Sequence, residues 1–239
     1  MTDWVPPIRP AEHAEQMLVG AILDGTFPAG TTLPGERELA GQLGVTRPTL
    51  REALRRLERD GWLTVQQGKS TRVNDYEREG GLNVLSALIR HNEHLAPSFI
   101  LHLLDVREVM APAYIRLAVE RVPHEVMALL AEGEQLPDTP ERFAAFDWRL
   151  HHALTVASGN PIYTMILNGF AGFYEDAARV YFASTEARAA SRRFYRALMA
   201  AAQAGEGDPT EQLVRFAMQE SIHFWCQVHN LNEMRGALR

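Results

Sequence analysis

The chain has 239 residues, a net charge of −6 and 46% hydrophobic side chains. That length holds one large domain or two ordinary ones, and that apolar content excludes intrinsic disorder. No apolar run approaches the roughly 18 residues of a membrane span, MTDWVPPIRP lacks the basic-then-apolar pattern of a signal peptide, and the single cysteine, Cys226, excludes an intrachain disulfide or a cysteine-cluster zinc site. A cytoplasmic protein with no membrane partner is expected.

Charge is divided unevenly. Residues 1–74 carry nine basic and nine acidic side chains, residues 75–239 carry 15 and 21, and residues 37–72 carry eight and four, a local excess of +4. A basic island in an acidic protein marks either a polyanion contact or a solvated helix face.

In chain order, residues 11–24 read as a helix with Ala14, Met17, Leu18, Ala21 and Ile22 on one face. FPAGTTLPG breaks it, and ERELAGQL forms a short helix that stops at Gly44. Thr46 is a good N-cap for a helix over 47–60, in which Pro48 occupies the tolerant first turn; Thr49 and Glu52 offer a capping box one turn later. Leu50, Ala53, Leu54 and Leu57 supply its apolar stripe, and Gly61 ends it. Trp62, Leu63, Val65 and Val73 flank a turn at Gly68 and read as a hairpin.

That order is a winged helix-turn-helix spanning 1–74, with 47–60 as the helix that enters a major groove by its N-terminal end. Thr46, Arg47, Thr49 and Arg51 sit at that end. Arg47 can fork onto guanine, while Arg51 and Lys69 suit phosphate. Arg55, Arg56 and Arg59 lie further back and read as solvated or packed against neighbours. A winged module that binds protein instead would not need this placement of arginines.

Residues 75–82 are polar and carry glycine, as a linker does; after them the pattern is helical. Seven helices are expected, over 82–91, 97–119, 123–133, 140–157, 161–182, 185–204 and 209–230, with Pro112 kinking or breaking the second. The fold class is therefore mostly α: the winged domain, then an all-α bundle over 83–239. Asp147 and His151, four apart on one helix, share a face. Lys69 is the sole lysine and lies in the expected wing, so no Schiff-base site exists in the bundle. With no phosphate-cradling glycine loop and no nucleophile paired to a base, an enzyme is not expected.

LPGERELAGQLGVTRPTLREALRRLERDGWL resembles the N-terminal domain of the GntR family of bacterial transcription regulators. The resemblance implies that Arg37, Arg47 and Arg51 contact operator DNA and that the wing, Gln67, Gly68 and Lys69, reaches the minor groove. HALTVASGNPIYTMILNGF, RVYFASTEARAASRRFYRAL and ESIHFW are similar to the fatty-acid-responsive FadR branch of that family. This implies a homodimer, no cofactor, and long-chain acyl-CoA as effector, held by Arg107, Tyr174, Tyr181, Glu220, Ser221 and Trp225, with His151 and Met218 at pocket positions. Three positions depart from that branch: Met218 stands for a glycine, Asn230 for a lysine beside the coenzyme phosphates, and His151 for an apolar residue. Relatives with an FCD-type domain bind a metal through one aspartate and three histidines. Asp147 and His151 match two of these, but Tyr195 and Glu220 stand at the others. A three-ligand metal site of Asp147, His151 and Glu220 with a small organic acid is the alternative; an Asp147–imidazole hydrogen bond inside the bundle is the plainer expectation.

Overall fold

A computed structural model describes residues 9–65, 70–90 and 97–231. The chain forms two compact units, Met1–His94 and Leu95–Arg239. In the first, α1 (Pro10–Leu23) packs on α3 (Arg47–Asp60), and α2 (Glu36–Gln42) precedes a tight turn closed by Gly44 at φ 65°. Leu50, Ala53, Leu54 and Leu57 form one buried stripe of α3, which packs on α1 and α2, whose Leu18, Ile22 and Leu39 are buried too. Thr46 is the N-cap: its Oγ1 accepts from the Thr49 amide at 3.4 Å and pairs with the Thr49 hydroxyl at 2.8 Å. Gly61 ends α3 at φ 98°, a left-handed conformation that favours glycine.

The hairpin is antiparallel, β1 (Leu63–Thr64) against β2 (Arg72–Val73), with Leu63 opposite Val73. Val73 donates to the Thr31 carbonyl at 2.8 Å, so residues 31–33 lie along the other edge of β2. Gln67, Gly68 and Lys69 lie outside the described residues.

The segment read as a linker is a docked part of the first unit. It carries α4 (Tyr76–Glu79) and leads into α5 (Leu82–Arg90). Arg72 pairs with both oxygens of Glu79, at 3.1 and 2.7 Å, and the Tyr76 ring lies 5.5 Å from that of buried Trp62. Buried Asn74 donates to the Gly61 carbonyl at 3.0 Å and accepts from Thr64 at 2.7 Å. The polar composition of 75–82 reflects its exposed side chains and hides these contacts.

The second unit is a helical bundle of α6 (Pro97–Arg121), α7 (Pro123–Glu134), α8 (Pro140–Ala157), α9 (Pro161–Asn168), α10 (Ala171–Phe182), α11 (Thr185–Ala204) and α12 (Gly207–Val228). Helix α6 packs along α12, α8 along α10 and α7 along α11, around Ile115, Leu130, Phe143, Leu150, Leu198 and Val214. Helix α6 continues through Pro112 without a break. One expectation needs correction. The single helix expected over 161–182 is two, so eight helices, α5–α12, stand among the described residues where seven were expected. Gly169 caps α9, and Gly169 and Phe170 form a two-residue turn before α10, with Phe170 at φ −98°, ψ −2°. The apolar periodicity runs on across that step, so the sequence pattern does not reveal it. Among the described residues no helix is long and apolar enough to cross a membrane.

Candidate functional site

The first unit presents one basic surface, at the N-terminal end of α3. Arg47 and Arg51 keep 57% and 56% of their side-chain surface open. Both turn to one carboxylate: Arg51 Nε lies 2.8 Å and Arg47 Nη2 3.8 Å from Glu36 Oε2. Thr46 is exposed and Thr49 half-buried beside them, while Arg37 is exposed on α2 and makes no ion pair among the described residues. Arg56 is occupied by Glu52 and Glu15, Arg59 by Asp60 and Arg72 by Glu79, while Arg55, further along α3, is exposed with no ion pair among the described residues. Free charge is thus concentrated where a helix N-terminus enters a groove.

The second unit encloses two adjoining cavities that share Arg107, Asp147, Tyr181, Phe182 and Ser221 as a common wall. The larger, about 110 Å³, also takes in Tyr174 and Trp225; the smaller, about 30 Å³, takes in His151, Met218 and Glu220. All eight bundle residues singled out from the sequence therefore gather around one wall.

A buried polar cluster forms that wall. Arg107 Nη2 donates to Asp147 Oδ2 at 3.1 Å and to His151 Nε2 at 2.5 Å. Asp147 also accepts from Tyr174 at 2.5 Å and from Tyr195 at 3.2 Å. The expected direct hydrogen bond from Asp147 to the imidazole is not formed: the two stand 3.6 Å apart, and His151 bonds Arg107 and Tyr114 instead. A guanidinium can only donate, so Nε2 must accept, and the His151 proton sits on Nδ1, 2.7 Å from the Tyr114 oxygen. Burial, reinforced by the Arg107 charge, lowers the His151 pKa to about 3, so the ring is neutral. Burial alone would raise Asp147, but the Arg107 charge and the two tyrosine hydroxyls outweigh it and hold the carboxyl below its usual range.

Where the alternative reading put a metal, the structure puts the Arg107 guanidinium. Glu220 pairs with Arg193 at 3.1 Å, and among the described residues no three His, Cys, Asp or Glu side chains group as ligands. Sequence reasoning missed Tyr114 as a member of the cluster and placed Tyr195 there only as the occupant of a metal-ligand position. Tyr114 lies two turns along α6 from Arg107, a spacing that could have marked it. Two buried donors near this wall have no acceptor among the described residues, Arg107 Nε and Trp225 Nε1.

Residues 10–73 match the bacterial regulatory proteins of the gntR family, and residues 74–235 match the FadR C-terminal domain. The chain belongs to the GntR family, in its FadR branch. It is similar to the fatty acid metabolism regulator protein of Shewanella baltica (strain OS155), 43% identical over 221 residues, which cover 92% of this chain and 93% of that one. It is also similar to the protein of that name from Shewanella halifaxensis, 46% identical over 189 residues, 79% of each chain. The solved structure of Lar, which controls expression of the Listeria monocytogenes agr system, aligns with a TM-score of 0.60 at 16% identity, covering 94% of this chain and 99% of that one; this is a likeness of fold.

This FadR-type bundle departs from an all-apolar pocket in a defined way. His151 is 1% exposed and spans Arg107 and Tyr114, and Met218, 4% exposed, is packed into the core beside the smaller cavity. Chemically, the site offers an apolar space, several hydrogen-bond donors and one internally balanced ion pair.

Proposed function

We propose that this chain is a ligand-responsive DNA-binding regulator of fatty acid metabolism that acts as a homodimer in the cytoplasm and is not an enzyme. Two winged units read a near-palindromic duplex operator through Arg47, Arg51 and their neighbours, with Lys69 on the backbone. The bundle binds long-chain acyl-CoA, and binding favours a conformation that releases the operator. The reading is supported by the relatives named fatty acid metabolism regulator, each matching at least 79% of this chain.

The observation that carries it is the apolar cavity beside unpartnered donors inside a FadR-type bundle. Trp225 is 6% exposed and its indole N–H has no acceptor among the described residues, a place that a thioester carbonyl near Ser221 would fill. A cavity of about 110 Å³ holds only part of a long chain, since a dry cavity of roughly 150 Å³ takes one benzene. Admission of the ligand must therefore displace side chains. Helix α9, which supplies Tyr163, Ile166 and Leu167 to the cavity and has no fully buried residue, is the element with least to lose.

Native mass spectrometry of freshly purified protein tests the effector, and titration of acyl-CoA into a protein–operator complex tests the response. Retained acyl-CoA that releases DNA is the expected result. A retained metal with a small acid would replace this reading with the FCD-type one.

A further inference from the structure

The two cavities differ in chemistry. The larger is walled mainly by apolar side chains such as Leu103, Met110 and Phe170; Arg107, Asp147 and Ser221 line both, and His151, Ser191 and Glu220 add polar groups to the smaller. A plain acyl chain suits the first and has nothing to offer the second. At about 30 Å³ the smaller cavity holds two or so water-sized groups. A hydroxyl or a keto oxygen fits it; an alkyl chain does not.

The hydrogen-bond inventory points the same way. Arg107 gives both of its bonds through Nη2, and its buried Nε–H has no acceptor among the described residues. His151 donates through Nδ1 to the Tyr114 oxygen, which leaves the hydroxyl hydrogen of Tyr114 to give. Tyr114 is 3% exposed and lines the larger cavity. The wall therefore asks for an acceptor. Its charge is already balanced, because Asp147 lies 3.1 Å from Arg107. A carboxylate ligand would add a second anion beside Asp147, whereas a neutral oxygen would not.

We propose that the effector is an acyl thioester carrying a hydroxyl or keto oxygen at its third carbon, a 3-hydroxyacyl or 3-oxoacyl group, with that oxygen at the Arg107–His151–Tyr114 wall. The inference rests on the acyl-thioester reading, in which Glu220 and Ser221 meet the thioester. Ser221 and Arg107 line both cavities, so an oxygen at Arg107, between Tyr114 on the larger cavity and His151 on the smaller, shares a wall with the thioester. His151 is a positioning residue: its Nε2 holds Arg107 Nη2, and its Nδ1–H sets Tyr114 to donate.

The test is calorimetric titration of the full-length protein with tetradecanoyl-CoA, its 3-hydroxy and 3-oxo derivatives, and tetradecanoic acid. Wild-type protein should bind at least one oxygenated thioester about tenfold more tightly than the plain one, the effect of one buried donor gaining an acceptor, and the free acid most weakly. In His151→Phe the ratio of oxygenated to plain should fall to about one, with thermal unfolding confirming a folded protein. Should that variant not fold, Tyr114→Phe, which removes one oxygen, should lower the same ratio. Equal or tighter binding of the plain thioester by wild type overturns the inference and leaves the acyl-CoA reading standing. A ratio that persists in both folded variants also overturns it. No binding of any thioester overturns both.

Discussion

Glu36 accepts a hydrogen bond from Arg51 Nε at 2.8 Å and stands 3.8 Å from Arg47 Nη2. One carboxylate thus braces the two arginines that begin the recognition helix. Arg51 uses only Nε, so its terminal nitrogens stay free, and both arginines remain more than half exposed. Glu36 also offsets their charge and should oppose binding to arbitrary phosphate.

Glu36→Gln is therefore expected to raise affinity for random-sequence duplex and to narrow the gap between operator and random DNA. The salt dependence should steepen by about one unit in log K against log salt, because one more cation becomes available to displace counterions. Filter binding across a salt series, on a duplex enriched by the wild-type protein from a random pool and on a random control, reads both. An unchanged slope and ratio would show that Glu36 does not act on DNA.

Arg47 and Lys69 should separate base reading from backbone contact. Arg47→Ala should cost about 1–3 kcal/mol on the operator and relax preference at one position. Lys69→Ala should weaken all sequences alike and flatten the salt slope by about one unit. Selection from a random pool by each variant shows which position, if any, loses its preference.

Affinity for acyl-CoA should climb with chain length and then stop. Each buried methylene contributes up to about 0.8 kcal/mol, so two carbons change affinity about tenfold until the tunnel is full. Met218, buried beside the smaller cavity, should bring that limit on early. Operator DNA must weaken acyl-CoA binding by the factor with which acyl-CoA weakens DNA binding. Titration from eight to eighteen carbons, with and without operator, measures both; a flat response would show that the chain is not sensed.

Stability should depend on pH through His151. Its pKa is lowered to about 3 in the folded protein by burial and by Arg107, against an unfolded value near 6.5. The unfolded chain binds a proton below about pH 6.5 that the folded one refuses, so this contribution is fully present above that pH and is lost as pH falls toward 3. The loss amounts to about 1.4 kcal/mol per pH unit inside that window. Urea unfolding of His151→Phe between pH 4 and 7 should show a shallower acid slope than wild type, by up to one proton. Identical slopes would mean that His151 is not held neutral.

Local order was legible where the cause is local. Leu50, Ala53, Leu54 and Leu57 at helical spacing, Thr46 before them and Gly61 after them define α3, and the structure repeats them nearly residue for residue. The same reading failed at Gly169–Phe170, where a two-residue turn leaves the apolar period intact, and gave no sign of α4 or of the contacts that Tyr76 and Glu79 make. Resemblance gathered the pocket residues, but not how they bond.

By itself the sequence determined the order of elements, the winged unit, the helical bundle and the position of the free arginines, because caps, glycines and periodicity act over a few residues. Only the tertiary structure decided that Glu36 faces Arg51, 15 residues away, and that Arg107 takes the place between Asp147 and His151 that a metal would have needed. Arg107 meets Asp147 across 40 residues of sequence, Tyr114 meets His151 across 37, and Tyr195 meets Asp147 across 48. No local pattern encodes those distances. They follow from helices packing so that most buried polar atoms find partners on other helices, a condition that only the bundle as a whole can meet.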